Sequence, residues 1–134
     1  MTPPSQPMLL LDSQVALWVL AEDPRLGAQT AVALETAPVV HVSAVTVWEL
    51  TIKSMLGKIE VPQDLVMTFE TEGFELLGIA ADHAAALRRF PELARHDPFD
   101  RLLVAQAFMM NLQLVTADRV LLAQEYPFTI DARV

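Results

Sequence analysis

Short apolar runs alternate along the chain with longer stretches in which apolar residues recur every three or four positions. The short runs have the length and composition of buried strands, and they lie at 8–11, 39–42, 74–77 and 112–115. The stretches with helical spacing lie at 13–23, 27–36, 44–55, 62–72, 80–90 and 98–110. A short helix ending near 124 and an edge strand at 128–130 complete the order. This alternation predicts an α/β domain with a mostly parallel central sheet and helices on both faces.

The length and composition predict one folded domain. The chain has 134 residues, of which 53% are apolar and 19% are charged, and this excludes a disordered or low-complexity protein. No linker is long enough to divide the chain, so residues 8–134 are expected to form the domain and 1–7 a flexible extension. The absence of cysteine excludes a disulfide scaffold, thiolate-bound zinc, an iron–sulfur centre and a cysteine nucleophile.

The apolar segments do not suit a membrane or secreted protein. No apolar run approaches the roughly 18 residues that a bilayer span needs, so no membrane association is expected. The N-terminal stretch lacks Lys and Arg, and Asp12 interrupts the first apolar run, which does not fit a secretory signal. We therefore expect a soluble protein of the cytoplasm.

Acidic residues dominate the charge and fall at particular places. Seventeen acidic against nine basic residues give a net charge of −8, which argues against a broad nucleic-acid-binding surface. A narrow site whose negative charge is cancelled by a bound metal ion stays compatible with this balance. Asp12 and Asp118 each follow a predicted strand. Because the carboxyl ends of parallel strands meet at one edge of the sheet, these two side chains are expected to share that edge.

Glu49 and Asp100 occupy unusual positions on predicted helices. Glu49 lies on the apolar stripe of its helix, and Asp100 opens a helix that is apolar nearly all round. A carboxylate in a dry environment is costly unless it is paired or bound to a cation. Each pair of acids about 5 Å apart costs roughly 3 kcal/mol at an effective dielectric near 20. A divalent cation that prefers oxygen ligands, Mg²⁺ or Mn²⁺, removes that cost.

Each of these residues, taken alone, also has a structural interpretation. An aspartate ahead of a helix suits the N-cap position, and one in the first turn complements the helix dipole. Asp97, which precedes Pro98, is the strongest cap candidate. Glu49 and Lys53 are spaced as an ion pair one helical turn apart. The histidines show no metal-ligand spacing and are interpreted as structural: His41, His83 and His96.

Four acidic segments form a pattern that extends over nearly the whole chain. They are 8–18 (MLLLDSQVALW), 42–53 (VSAVTVWELTIK, followed by LGK at 56–58), 97–107 (DPFDRLLVAQA) and 114–118 (LVTAD). In order and spacing they resemble the motifs of PIN-domain ribonucleases, specifically the VapC-type toxins. The resemblance implies a three-layer α/β/α sandwich.

The resemblance also assigns roles to individual positions. The catalytic and metal-binding quartet that it implies is Asp12, Glu49, Asp100 and Asp118. The supporting residues are Ser13, Asp97 and Thr116, with Asp97 as a helix cap beside the site. One departure is Gln14, where relatives frequently carry histidine, so a contribution from that side chain is in doubt.

The implied activity is Mg²⁺- or Mn²⁺-dependent hydrolysis of single-stranded or structured RNA, by the toxin of a toxin–antitoxin pair. Basic side chains near the acids are candidates for RNA phosphate contacts, namely Lys53, Arg101 and Arg119. The family also implies a homodimer, to which Trp18 and Met110 are candidate contributors. A cognate antitoxin is expected to offer an arginine to the acid cluster.

Two other functions stay open at this point. A catalytically silent relative would keep the fold and only bind a partner protein. A phosphotransfer receiver domain has similar length and α/β order, but it expects a lysine at the end of its last strand, and none follows 128–130. It also leaves Glu49 unexplained.

Overall fold

Five parallel strands form the centre of the computed structural model, which describes residues 7–134. The strands are β1 (Leu9–Leu11), β2 (Val40–Ser43), β3 (Glu75–Leu77), β4 (Gln113–Thr116) and β5 (Thr129–Asp131). Their order across the sheet is β3-β2-β1-β4-β5, and every neighbouring pair is parallel. The predicted α/β class with a parallel sheet is confirmed, and the short run at 128–130 is an edge strand as predicted.

Helices connect these strands, and side-chain caps fix several of their starts. Within residues 7–134 the α-helices are α1 (Ser13–Ala21), α2 (Ala28–Thr36), α3 (Ala44–Met55), α4 (Leu65–Thr71), α5 (Ala81–Ala85), α6 (Pro98–Met109) and α7 (Arg119–Ala123). Asp12, Ser43 and Asp97 accept hydrogen bonds from first-turn N–H groups of α1, α3 and α6. Such caps satisfy donors that have no partner inside the helix.

The sheet separates two apolar cores, because successive side chains of a strand point to opposite faces. Leu9 and Leu11 pack on one face together with Phe69. Leu10 packs in the other core together with Leu103. None of these five side chains is more than 1% exposed. β1 is therefore buried on both faces, which explains its uninterrupted apolar sequence.

The direction of strand addition reverses at β1. The strands β2 and β3 extend the sheet on one side of β1, and β4 and β5 extend it on the other. In open parallel sheets, ligands bind in the crevice at such a reversal, outside the carboxyl ends of the strands. The backbone N–H of Asp12 donates to the Val115 carbonyl at 3.0 Å, so the ends of β1 and β4 adjoin there. Receiver domains have the order 2-1-3-4-5, so the observed order discards that alternative.

Two predicted helices are shorter than expected. α4 begins at Leu65 rather than at 62, because Asp64 caps it by accepting a hydrogen bond from Met67 N–H at 2.9 Å. The stretch 80–90 is α-helical only to Ala85 and continues as a 3₁₀ turn, because Pro91 holds the residue before it out of helical geometry.

The predicted flexible extension at 1–7 lies outside the described residues, apart from residue 7. Among the helices of residues 7–134, none combines the length and the apolar character that spanning a bilayer requires.

Candidate active site

One cleft of about 320 Å³ at the carboxyl edge of the sheet is lined by all four acids of the expected quartet. Asp12 follows β1, Glu49 lies in α3, Asp100 lies in the first turn of α6, and Asp118 follows β4 by two residues. These segments are distant in sequence. They meet because β1 pairs with β4 and α3 contacts α6. The convergence that the sequence analysis expects is therefore present, and the catalytic roles of the four acids stay predictions.

Asp12 is held in place at the end of β1 and is 3% exposed. Its Oδ1 accepts a hydrogen bond from Val15 N–H at 2.8 Å, and its Oδ2 accepts one from the Thr116 hydroxyl at 2.5 Å. Burial raises the pKa of the Asp12 carboxyl, although these hydrogen bonds act in the opposite direction. Asp12 therefore caps α1 and lines the cleft at the same time, and its catalytic role stays a prediction.

Two hydroxyl groups fix the elements that carry the acids. Thr116 donates its hydroxyl to Asp12 and accepts a hydrogen bond from Asp118 N–H at 3.0 Å, so it connects two members of the quartet. Asp118 in turn caps α7 through its Oδ1. Ser13 also lines the cleft, and its hydroxyl is hydrogen-bonded to Thr46 of α3 at 3.1 Å. That bond joins α1 to the helix that carries Glu49.

Glu49 is a buried carboxylate, 5% exposed, with only one of its oxygens satisfied. Its Oε2 accepts a hydrogen bond from Lys53 Nζ at 2.7 Å, which is the ion pair that the spacing predicts, and this bond raises the pKa of Lys53. Its Oε1 is buried and has no hydrogen-bond partner among the described residues. Because a buried oxygen without a hydrogen-bond partner destabilises a folded protein, this carboxylate favours a cation beside it.

Asp100 is surrounded by other acids. Asp97 caps α6 as predicted, since its Oδ1 accepts two first-turn N–H bonds at 2.9 and 3.1 Å. Burial raises the pKa of Asp100 to about 8, and the charges of Asp97, Asp118, Asp12 and Glu49 act in the same direction. Without a cation, the four acids of the cleft are therefore not all ionised near neutral pH.

His96 belongs to this cluster, which corrects its interpretation as a structural residue. Its Nε2 lies 3.3 Å from a carboxylate oxygen of Asp100 and 3.3 Å from one of Asp118. One ligand atom from each of the three residues lies within 4.8 Å of the others. The sequence does contain a hint, because His96 and Asp100 are four residues apart across a helix start. His83 is structural as expected, since its Nδ1 accepts a hydrogen bond from Ala80 N–H.

The basic residues around the cleft differ from those expected. Lys53 lines it, but among the described residues that do so neither Arg101 nor Arg119 appears. Arg101 instead donates its Nη1 to the Ala94 carbonyl at 3.1 Å, and Arg119 is exposed beyond Asp118. The lining contains two arginines that the sequence analysis did not single out, Arg25 and Arg133. Gln14 also lines the cleft.

The two side chains named for a homodimer are placed differently. Trp18 is 3% exposed and lies under Arg25 and Arg133, so it is already covered within one chain. Met110 is 44% exposed at the end of α6 and is free to contact another molecule. The contribution expected from Trp18 is therefore corrected, and the one expected from Met110 stays a prediction.

Sequence comparison gives a family model and a curated relative. The model described as PIN domain matches residues 9–124. Ribonuclease VapC22 of Mycobacterium tuberculosis is 32% identical over 121 residues, which cover 89% of this chain and 93% of that protein. The resemblance drawn from the four acidic segments is thereby confirmed.

Solved structures show the same fold. A toxin–antitoxin complex from Klebsiella pneumoniae matches with a TM-score of 0.64 at 18% identity, over 92% of this chain and 97% of that one. VapBC2 from Rickettsia felis, bound to a DNA fragment from its promoter, matches with a TM-score of 0.64 at 14% identity, over 92% and 96%. The expected three-layer α/β/α architecture is confirmed.

Proposed function

The chain belongs to the PIN-domain family, and from that premise we propose that it is a divalent-metal-dependent endoribonuclease that cleaves single-stranded RNA. Its biological role is that of a VapC-type toxin. The observation that carries the proposal is the meeting of Asp12, Glu49, Asp100 and Asp118 in one cleft at the reversal point of the sheet. A ribonuclease relative over most of the chain supports the choice of RNA as substrate.

The residues of the cleft fit a divalent cation. The donor set is four carboxylates with one imidazole, and carboxylate oxygens suit Mg²⁺ and Mn²⁺. Two observations call for positive charge at this place: the buried Oε1 of Glu49 without a partner, and the raised pKa of Asp100. Asp12, Asp100 and Asp118 would hold the ion, with Glu49 and His96 beside them.

In this proposal, side chains of the protein orient the metal-binding carboxylate and the attacking water. A bound cation lowers the pKa of a water molecule and stabilises charge on the phosphate. Thr116 keeps Oδ2 of Asp12 at a fixed position, so that carboxylate is oriented before substrate arrives. The Oε1 of Glu49 can accept a hydrogen bond from the attacking water and so orient it toward the phosphorus.

Two protein partners belong to the proposal. The structural neighbours are toxin–antitoxin complexes, and an acid-lined cleft suits an antitoxin segment that inserts an arginine, because guanidinium binds carboxylates with two parallel hydrogen bonds. A homodimer is the second, with Met110 and its exposed neighbours Phe108 and Met109 as the candidate surface.

The direct test is Asp12→Asn, which keeps the cap geometry and removes one negative charge from the cleft. We expect RNA cleavage to fall by at least about 10²-fold, while circular dichroism and the melting temperature without metal stay close to those of the wild type. Cleavage by the wild type should also stop on chelation and return with Mg²⁺ or Mn²⁺.

The control is Asp82→Asn, which removes an exposed acid outside the cleft and should leave cleavage unchanged. Cleavage by Asp12→Asn at the wild-type rate would overturn the mechanism. A wild type that binds an antitoxin but cleaves no RNA with any divalent ion would instead favour the catalytically silent binding module.

A further inference from the structure

We propose that Arg133 is an RNA-binding residue that holds a backbone phosphate of the substrate beside the acids. This inference rests on the proposed function and names a residue that supplies binding at the same site. It assigns phosphate binding to a position after the last strand rather than to Arg101 or Arg119.

Among residues 7–134, three basic residues line the cleft: Arg25, Lys53 and Arg133. Arg25 is engaged by Asp23 through both carboxylate oxygens, at 3.1 and 2.7 Å, and this pairing lowers the pKa of Asp23 to about 2. Lys53 is engaged by Glu49. Within the described part of the chain Arg133 forms no ion pair. Its charge is therefore the one of these three that stays available to an external anion.

The backbone around Arg133 is tied down, so the side chain starts from a fixed position. Gly27 N–H donates to the Ala132 carbonyl at 2.8 Å, and the N–H groups of Gln29 and Thr30 in α2 donate to the Val134 carbonyl at 3.0 and 3.2 Å. A Cβ on Gly27 would lie 2.1 Å from that carbonyl oxygen, which explains why the close approach needs glycine. Ala132 is fully buried.

The guanidinium is anchored at the site and keeps N–H donors free. Its Nη1 donates to the Ala117 carbonyl at 2.7 Å, and Ala117 lies between Thr116 and Asp118. The guanidinium carbon lies 5.5 Å from the centre of the Trp18 ring. A guanidinium has five N–H donors, so this anchoring leaves others for a phosphate. Arginine held in one orientation binds phosphate with little loss of side-chain freedom.

The position of Arg133 suits the binding of an RNA phosphate. A chain of net charge −8 does not attract RNA by its overall field, so an individually placed cation near the acids matters for phosphate binding. Arg133 is anchored to Ala117, the residue between Thr116 and Asp118, and it lines the same cleft as the four acids. The other two cations of the cleft already neutralise carboxylates.

The test measures RNA binding in an Asp12→Asn background, in Mg²⁺, with a fluorescently labelled, unstructured single-stranded RNA. Arg133→Gln removes the charge and keeps a polar side chain with an amide N–H. We expect its Kd to rise about tenfold. Between about 50 and 200 mM salt, the slope of log K against log salt should become shallower by about 0.7, the loss of one phosphate contact. Arg133→Lys should restore the slope and only part of the affinity.

Two matched controls carry the same change in charge. Arg25→Gln alters an arginine that stacks on the same tryptophan but is paired, and we expect its Kd to rise less than about threefold. Arg88→Gln alters an exposed arginine outside the cleft and should leave binding unchanged. In the otherwise native enzyme, Arg133→Gln should raise KM more than it lowers kcat.

A wild-type slope and Kd for Arg133→Gln would overturn the inference, and so would equal effects of Arg25→Gln and Arg133→Gln. If RNA is still cleaved by the wild type in either case, only the inference has failed. If the wild type neither binds nor cleaves RNA, the proposed function has failed and the inference with it. Equal melting temperatures for the variants show that the loss is one of binding and not of folding.

Discussion

Thr116 shows how one side chain can organise two acids. It is fully buried, and its hydroxyl donates to Asp12 and accepts from Asp118 N–H. A hydroxyl has one proton and two lone pairs, so Thr116 acts as a hydrogen-bond donor and acceptor at once. The bond to Asp12 also opposes the rise of its pKa that burial causes.

Replacement of Thr116 by valine should therefore lower kcat about 10- to 100-fold with a smaller effect on KM, because valine keeps the shape and loses both hydrogen bonds. The acidic limb of the pH–rate profile should also move to higher pH, since Asp12 loses a group that stabilises its ionised form. Thr116→Ser retains the hydroxyl and should recover most of the activity. Wild-type kinetics for the valine variant would show that the hydroxyl has no part in positioning Asp12.

Some residues that line or adjoin the cleft were predicted from the sequence, and others were not. The quartet could be predicted because each acid follows a strand or interrupts an apolar helix. His96 follows no predicted strand and lies in no predicted helix, so its contacts with Asp100 and Asp118 appear only in the folded structure. Arg133 was nevertheless within reach: it follows the predicted edge strand, and in a parallel sheet the residues after every strand lie at the same edge.

At the scale of elements, a buried polar network joins the helices that carry Glu49 and Asp100. Gln106 of α6 accepts a hydrogen bond from Ser43, the cap of α3, at 2.6 Å. Its amide nitrogen contacts the Gly78 carbonyl at 3.2 Å and His83 Nδ1 at 3.3 Å. His83 Nδ1 also accepts from a backbone N–H, so its proton is on Nε2 and the amide of Gln106 donates to it. All the polar atoms of Gln106 are thus used.

Gln106→Leu should destabilise the protein by about 2–4 kcal/mol in urea unfolding, because it leaves several buried groups without partners. Gln29→Leu, on the exposed side of α2, is the matched control and should change stability by less than about 0.5 kcal/mol. If Gln106→Leu lowers the free energy of unfolding no more than the control does, the network adds nothing to the packing of α3 on α6.

Most strands and helices could be predicted, and the exceptions have local reasons. The strands were recognisable because β1 is a fully buried apolar run, and because β2 and β4 carry apolar residues and are buried except at His41 and Gln113. The alanine-rich stretch 80–90 favours helix by propensity, but a proline follows it and its second half forms a 3₁₀ turn. Strand order was not available from periodicity, because it depends on contacts between distant segments.

At the scale of the whole molecule, the acidic cleft couples stability to pH. The pKa values of Asp12 and Asp100 are raised, that of Asp100 to about 8, so the folded protein binds these protons more tightly than the unfolded chain. Between about pH 4 and pH 8 the folded state therefore holds more protons, and the free energy of unfolding falls as pH rises. The stabilising contribution is present at low pH and lost toward pH 8.

Without metal, the protein should be less stable at pH 8 than at pH 5 by on the order of 2–4 kcal/mol from these groups. Asp100→Asn should flatten that dependence and be more stable than the wild type at pH 8, whereas Glu35→Gln, an exposed control, should leave it unchanged. Mg²⁺ should raise the melting temperature of the wild type more at pH 8 than at pH 5. The result that would contradict this is a wild type whose stability rises over this interval in the absence of metal while Asp100→Asn behaves identically.

The central position of β1 has a consequence for synthesis of the protein. The ribosome delivers β1, β2 and β3 first, together with Asp12 and Glu49, but Asp100, Asp118 and Arg133 come from the last third of the chain. A nascent or prematurely terminated polypeptide thus has an incomplete cleft, in which one edge of β1 is not yet paired with β4. The four acids can therefore meet only after α6 and the segment that follows β4 have been synthesised and have folded onto β1.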